Sequence, residues 1–253
     1  MIGLGQATDF AASWTHERAR DASDPRPSNR CGTIESVINV YRPITSGVVG
    51  RRAMSGRRVS REARAHRQGH QGAIIWLTGL SGAGKSTLAT SAEAKLFATG
   101  YATYVLDGDE LRRGLSSDLG FSPHDRHENV RRASEVAALL ADAGLVVFVA
   151  MISPFAADRE AARRVGGVTF HEVFVKASLD ACERRDPRGL YRRARSGEIP
   201  EFTGVSSPYE APTSPDLIID TEHLDEATAV EQLVAFVATR RPLGAGLSES
   251  LTR

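Results

Sequence analysis

An α/β fold, a mostly parallel sheet with helices on both faces, is the architecture this sequence predicts. From residue 73 onward, short apolar runs alternate with stretches of helical period, the pattern of a parallel sheet wound through crossover helices. The first run, Ala73-Ile74-Ile75-Trp76-Leu77, opens onto a glycine-rich turn, Gly79-Leu80-Ser81-Gly82-Ala83-Gly84-Lys85-Ser86, and then a helix-compatible Thr87-Leu88-Ala89. With 253 residues and 41% hydrophobic content, the chain can bury one substantial core, with room for an appendage.

The elements come in a regular order. Strands are expected at 73–78, 101–106, 145–152, 169–175 and 216–220. Between them fit helices at 85–98, a bent helical region over 109–142, and helices at 155–165 and 178–185. In the second of these Val130, Ala133, Val136, Ala137 and Leu140 mark a buried stripe. A last helix over 225–239 carries Val230, Leu233, Val234 and Val237 at helical spacing, with Asp225 as its N-cap. In such sheets ligands sit beyond the carboxyl ends of the strands, so residues just after each strand are read as chemistry.

Residues 1–70 differ from the rest of the chain. They are rich in Arg, Ser and Gly, contain no Lys, and show a sustained apolar period only around 34–40. An organellar transit peptide would avoid Asp9, Glu17, Asp21 and Asp24. A nucleic-acid arm could use arginines such as Arg51, Arg57 and Arg64, but no aromatic residues are interleaved for base stacking. The expectation is a disordered extension over 1–70, with Met54 as an alternative start, a domain over 71–241 and a flexible tail over 242–253.

Composition excludes several classes. A net charge of +1 creates no global field, so no nucleic-acid partner is expected. No apolar run reaches the length of a membrane span, and the N-terminus lacks the apolar region of a secretory signal. Cys31 and Cys182 lie far apart and form no metal or redox pair, which suits a reducing cytoplasm.

The turn at 79–86 is the G-x-x-x-x-G-K-[ST] pattern between strand and helix, the P-loop of nucleotide-binding proteins. Its glycines let backbone N–H groups approach a polyphosphate, and the helix after it adds its positive end. Lys85 can reach the β- and γ-phosphates of ATP, Ser86 can offer its hydroxyl to Mg²⁺, and Thr87 completes the loop. After the second strand, Asp107 and Asp109 flank Gly108. One acid can hold Mg²⁺ and the other can accept the proton of an attacking hydroxyl. The third strand ends without an Asp, unlike a motor or switch NTPase, so the acid pair points to a small-molecule kinase. Ser153, after that strand, could bond a substrate or cap the next helix with Pro154 at its first turn. Capping is the reading that local geometry favours.

Two further stretches carry chemistry. Arg126 and Asn129 stand one helical turn apart and could face one cleft, with Arg126 suited to phosphate or sulfate and Phe121 to stacking on a purine. Residues 186–204, with Arg188 and neighbouring arginines set among Pro and Gly, read as a mobile basic lid over nucleotide.

From about Gly72 to Arg240 the sequence resembles the adenylylsulfate (APS) kinase family. The matching motifs are Gly-Leu-Ser-Gly-Ala-Gly-Lys-Ser-Thr at 79–87, Leu-Asp-Gly-Asp at 106–109, Asp-Leu-Gly-Phe at 118–121 and Glu-Asn-Val-Arg-Arg at 128–132. Further on are Ile-Ser-Pro-Phe at 152–155, Asp-Pro-Arg-Gly-Leu-Tyr at 186–191, Phe-Thr-Gly at 202–204 and Pro-Tyr-Glu-Ala-Pro at 208–212. The resemblance implies a P-loop NTPase-type fold and transfer of the ATP γ-phosphoryl to the 3′-hydroxyl of APS, with Mg²⁺, giving PAPS and ADP. It also implies a homodimer working in sulfate activation. By position, Asp109, Arg112, Phe121, Arg126, Asn129, Ile152, Ser153, Arg188, Phe202 and Thr203 would line the APS site, with Phe121 and Phe202 sandwiching adenine. In the family Ser153 corresponds to a described phosphoserine; direct in-line transfer assisted by Asp109 needs no such step. Glu110 stands where the family usually has Asn, Ala156 where it has Arg, and Arg188 where it has Lys. Another small-molecule P-loop kinase, or a nucleotide-dependent module docking nucleic acid through residues 1–70, are the competing functions.

Overall fold

The computed structural model describes residues 59–244. All of them belong to one unit. Five strands, β1 (Ala73–Thr78), β2 (Thr103–Asp107), β3 (Val146–Ala150), β4 (Phe170–Lys176) and β5 (Leu217–Asp220), form one sheet in the order β2-β3-β1-β4-β5. Every pairing is parallel. β1 is central and buried along its whole length, as is β3, which is why both read as unbroken apolar runs. β2 and β5 lie at the edges and are only partly buried.

Alternate residues of β1 feed two cores. Ala73, Ile75 and Leu77 join a cluster with Leu88, Ala92 and Leu96 of α2 (Lys85–Ala98) and Val230, Leu233 and Val237 of α8 (Glu226–Arg240). Ile74 and Trp76 point to the opposite face, against Val130, Ala133 and Ala137 of α4 (Pro123–Asp142) and Ala162 of α5 (Ala156–Gly166). The expected layering is therefore present, helices on both faces of a parallel sheet. The expected bend over 109–142 is a break: α3 (Gly108–Leu111) ends early, and Ser122 caps α4 by accepting from Asp125 N at 3.2 Å, with Pro123 in the first turn. Ser178 caps α6 (Leu179–Arg185) and Asp225 caps α8 in the same way. The basic segment after α6 contains a short helix not foreseen from sequence, α7 (Leu190–Arg195).

The expectation of a featureless stretch up to residue 70 is corrected at its end. Arg61–Gln68 forms α1, capped by Ser60 and closed by Gly69 in the left-handed conformation. His70 is fully buried; its Nε2 accepts from Ala102 N at 2.9 Å. At the other end Gly244 N donates to Gly69 O at 2.7 Å, and Tyr101 Oη donates to Arg241 O at 2.8 Å. Residues 59–72 thus pack on the α/β unit. The remainder of the expected extension, Met54 included, and residues 245–253 of the expected tail lie outside the described residues.

Candidate active site

The chain leaves β1 in one direction for β2 and β3 and later crosses to β4 and β5 on the other side, which opens a crevice beyond the carboxyl end of β1. The P-loop occupies it. At Gly79 a Cβ would lie 2.4 Å from Val175 O, so the close approach of loop to β4 excludes any side chain. Gly84, with φ of 96°, turns the loop into α2 through the left-handed region. Lys85 is buried, and its Nζ donates to Gly79 O at 3.0 Å and Leu80 O at 2.7 Å. Burial lowers its pKa to about 8, against the opposing pull of Cys182, Asp107 and Asp109.

Opposite the loop, Asp107 ends β2 and caps α3, its Oδ1 accepting from Asp109 N at 2.8 Å. Its Oδ2 accepts from Ser86 Oγ at 2.5 Å. Asp109 forms an ion pair with Arg188 from the segment after α6. The residues assigned to two jobs by sequence thus share one wall, and the basic segment reaches across to it.

These groups face a single cleft of about 1190 Å³ lined by Ser81–Thr87, Asp107, Asp109, Arg112, Phe121, Arg126, Asn129, Ile152, Ser153 and Arg188. Arg112 lies over the exposed Phe121 ring, 4.3 Å from its centroid, and donates to Gly120 O. Arg126 is held by the carbonyls of Phe121 and Glu201 at 2.9 and 2.8 Å. Asn129 is buried on the cleft wall with its Oδ1 unpartnered, a polar atom that a ligand would satisfy. Two expected members are not at the cleft. Phe202 is buried in the core edge-on to Tyr191, ring centroids 5.0 Å apart, and Thr203 is buried with its Oγ1 unpartnered. The reason is a tight turn at 202–207, where Phe202 O accepts from the backbone N–H groups of Val205, Ser206 and Ser207 while the ring turns inward. The structure therefore gives Phe121 a free face and Phe202 none on the cleft.

A family model for adenylylsulphate kinase matches residues 71–220, the span that holds the loop, the acid pair and the basic segment. The chain belongs to the adenylylsulphate kinase family. An adenylyl-sulfate kinase of Staphylococcus epidermidis is 52% identical over 180 residues, 71% of this chain and 90% of that protein. Among solved structures, the Mycobacterium tuberculosis APS kinase CysC in complex with AMPPNP and APS is 49% identical with a TM-score of 0.64, covering 66% of this chain and 98% of that one. A hexameric APS kinase from Thiobacillus denitrificans is 34% identical with a TM-score of 0.52, covering 69% of this chain and 31% of that one.

Around this adenylylsulphate kinase cleft stand residues that sequence reasoning missed. Arg185 and Thr221 brace the P-loop: Arg185 Nη1 donates to Gly82 O at 3.3 Å, and Thr221 Oγ1 donates to Ala83 O at 2.8 Å. Behind Ser153, the buried Arg159 donates to Glu172 Oε1, Ser153 O and Glu210 O at 2.7, 2.8 and 2.7 Å. Glu210 in turn accepts from Ala156 N at 2.6 Å and supplies the cap that Phe155 lacks at the start of α5. The Pro-Tyr-Glu-Ala-Pro motif was the available signal, though nothing in its sequence says which helix it serves. The family departures fall on exposed positions, Glu110, Ala156 and Arg188, so none leaves a hole in the core.

Proposed function

We infer that the cleft phosphorylates adenylyl sulfate at its 3′-hydroxyl, with ATP as donor and PAPS and ADP as products. The activity follows from family membership. The observation that carries it in the structure is that one cleft, larger than a single-ligand pocket of up to about 1000 Å³, joins the phosphate loop to the Arg112–Phe121–Arg126–Asn129 wall.

In this reading the ATP phosphates lie in the Gly79–Thr87 loop, and Lys85 exchanges its loop carbonyls for phosphate oxygens. Asp109 orients the acceptor hydroxyl and takes its proton as the oxygen attacks phosphorus; the bond to the ADP oxygen breaks in line. Arg188, displaced from Asp109, moves to the transferring phosphoryl group. Among the described residues no group of three or more His, Cys, Asp or Glu side chains could cage a metal. Ser86 and Asp107, two adjacent hard oxygens beside the loop, fit Mg²⁺ held jointly with phosphates and water. When bound, that ion would neutralise phosphate charge. Ser153 is read as a contact to the acceptor, and transfer is direct.

The reading extends to a homodimer in the cytoplasm and to a catalytic domain running from Ser60 to Gly244. It rests on the family resemblance for the dimer, and for the cytoplasm on ATP consumption and the buried free thiol of Cys182. Light scattering on the full chain tests the dimer; a monomeric mass would remove it. A coupled ADP-release assay with ATP–Mg²⁺ and APS, shikimate, gluconate or a 5′-hydroxyl oligonucleotide tests the activity. Turnover is expected with APS alone, and turnover only with another acceptor would overturn the assignment.

A further inference from the structure

Ser153 is held from two elements at once. Its φ of 39° places a residue with a Cβ in the left-handed region, a conformation that persists only where the surroundings impose it. From α5, Arg159 Nη1 fixes its carbonyl at 2.8 Å. From β1, the indole N–H of the fully buried Trp76 donates to its Oγ at 3.0 Å. Trp76 is itself packed against Phe170 with ring centroids 5.7 Å apart, so the indole is not free to follow Ser153 if that residue moves.

A serine hydroxyl has one proton and two lone pairs. Here the indole occupies a lone pair, and the proton has Met151 O as its acceptor at 3.5 Å, too long for a good bond. Ser153 is 3% exposed and its small open part faces the cleft. A buried hydroxyl proton without a close acceptor is satisfied by whatever binds there. A Phe at position 76 would keep an aromatic ring in the core but would lose the N–H together with part of the indole's volume.

We propose that Trp76 is a positioning residue for phosphoryl transfer: its indole N–H turns the Ser153 hydroxyl so that its proton is presented to an oxyanion of the bound acceptor. This rests on the reading that Ser153 faces adenylyl sulfate. No covalent step is involved.

The test is a double-mutant cycle on the full chain with Trp76→Phe, Ser153→Ala and the pair, read as kcat and KM for each substrate. Trp76→Phe should lower kcat/KM for APS about tenfold, leave KM for ATP within about twofold, and cost nothing more once Ser153 is Ala. Additive losses, an unchanged kcat/KM for APS, or an equal rise in KM for both substrates would overturn the proposal while leaving Ser153 in the acceptor site. A Ser153→Ala enzyme indistinguishable from the parent would instead overturn the placement of Ser153, and the proposal with it. A second reading leaves the core untouched: in ¹⁵N-labelled protein, the Trp76 indole resonance, told from Trp14 by Trp14→Phe, should shift on Ser153→Ala. A resonance that stays in place would overturn the link even if Trp76→Phe does not fold.

Discussion

Lys85 carries its ammonium against two carbonyls of its own loop, buried, with a pKa lowered to about 8 by that burial. A polyphosphate favours the charged form, so ATP binding near pH 8 should take up a proton. As pH rises through about 8 the free enzyme loses that charge, and the Kd for ATP should climb, approaching tenfold per pH unit. Calorimetry in buffers of different ionisation enthalpy reads both effects; a Kd flat from pH 7 to 9.5 would contradict them. Asp109→Asn removes the proton acceptor and should lower kcat by roughly 10²- to 10⁴-fold while ATP affinity moves little. Equal loss of both would assign Asp109 to the metal or the fold. The loop and the Asp107/Asp109 pair were legible because their chemistry is written within a few consecutive residues. Trp76, Arg159 and Glu172 were not: β1 and α5 bring Trp76 and Arg159 to Ser153, and β4 brings Glu172 to Arg159, only once the sheet is assembled. Phe202 shows the converse, a correctly matched motif whose ring orientation is set by a turn that spacing cannot report.

At the scale of elements, apolar runs located all five strands to within a few residues, because central parallel strands are buried on both faces. α1 escaped notice because it buries no residue fully and so has no apolar stripe; its capping serine and closing glycine were the readable signs. What docks this segment is His70, whose Nε2 accepts from Ala102 N and whose Nδ1 contacts Gln71 O. His70→Ala leaves a half-buried backbone donor without its partner, and should cost about 1 kcal/mol. Urea denaturation would show this as a lower midpoint with an unchanged slope. An unshifted midpoint would mean that the N-terminal segment contributes nothing to the fold. Deleting residues 1–58 leaves every one of these contacts in place and should leave kcat unaltered. A large loss of kcat on that deletion would give the extension a catalytic role.

For the whole molecule, donor and acceptor sites share the carboxyl edge of one sheet, so ligand binding and folding are linked. AMPPNP at about 100 times its Kd should stabilise the fold by roughly 2.7 kcal/mol and raise Tm by roughly 5–10 °C; no shift under saturation would place nucleotide outside the folded cleft. The opposite edge of the sheet holds the clasp between Gly69 and Gly244, whose backbones are 2.7 Å apart. The two ends of the catalytic unit therefore meet far from the chemistry. A short linker could join them and new termini could be opened in a surface loop, giving a circular permutant. By the same geometry, a second domain fused at either end would leave the cleft mouth unobstructed.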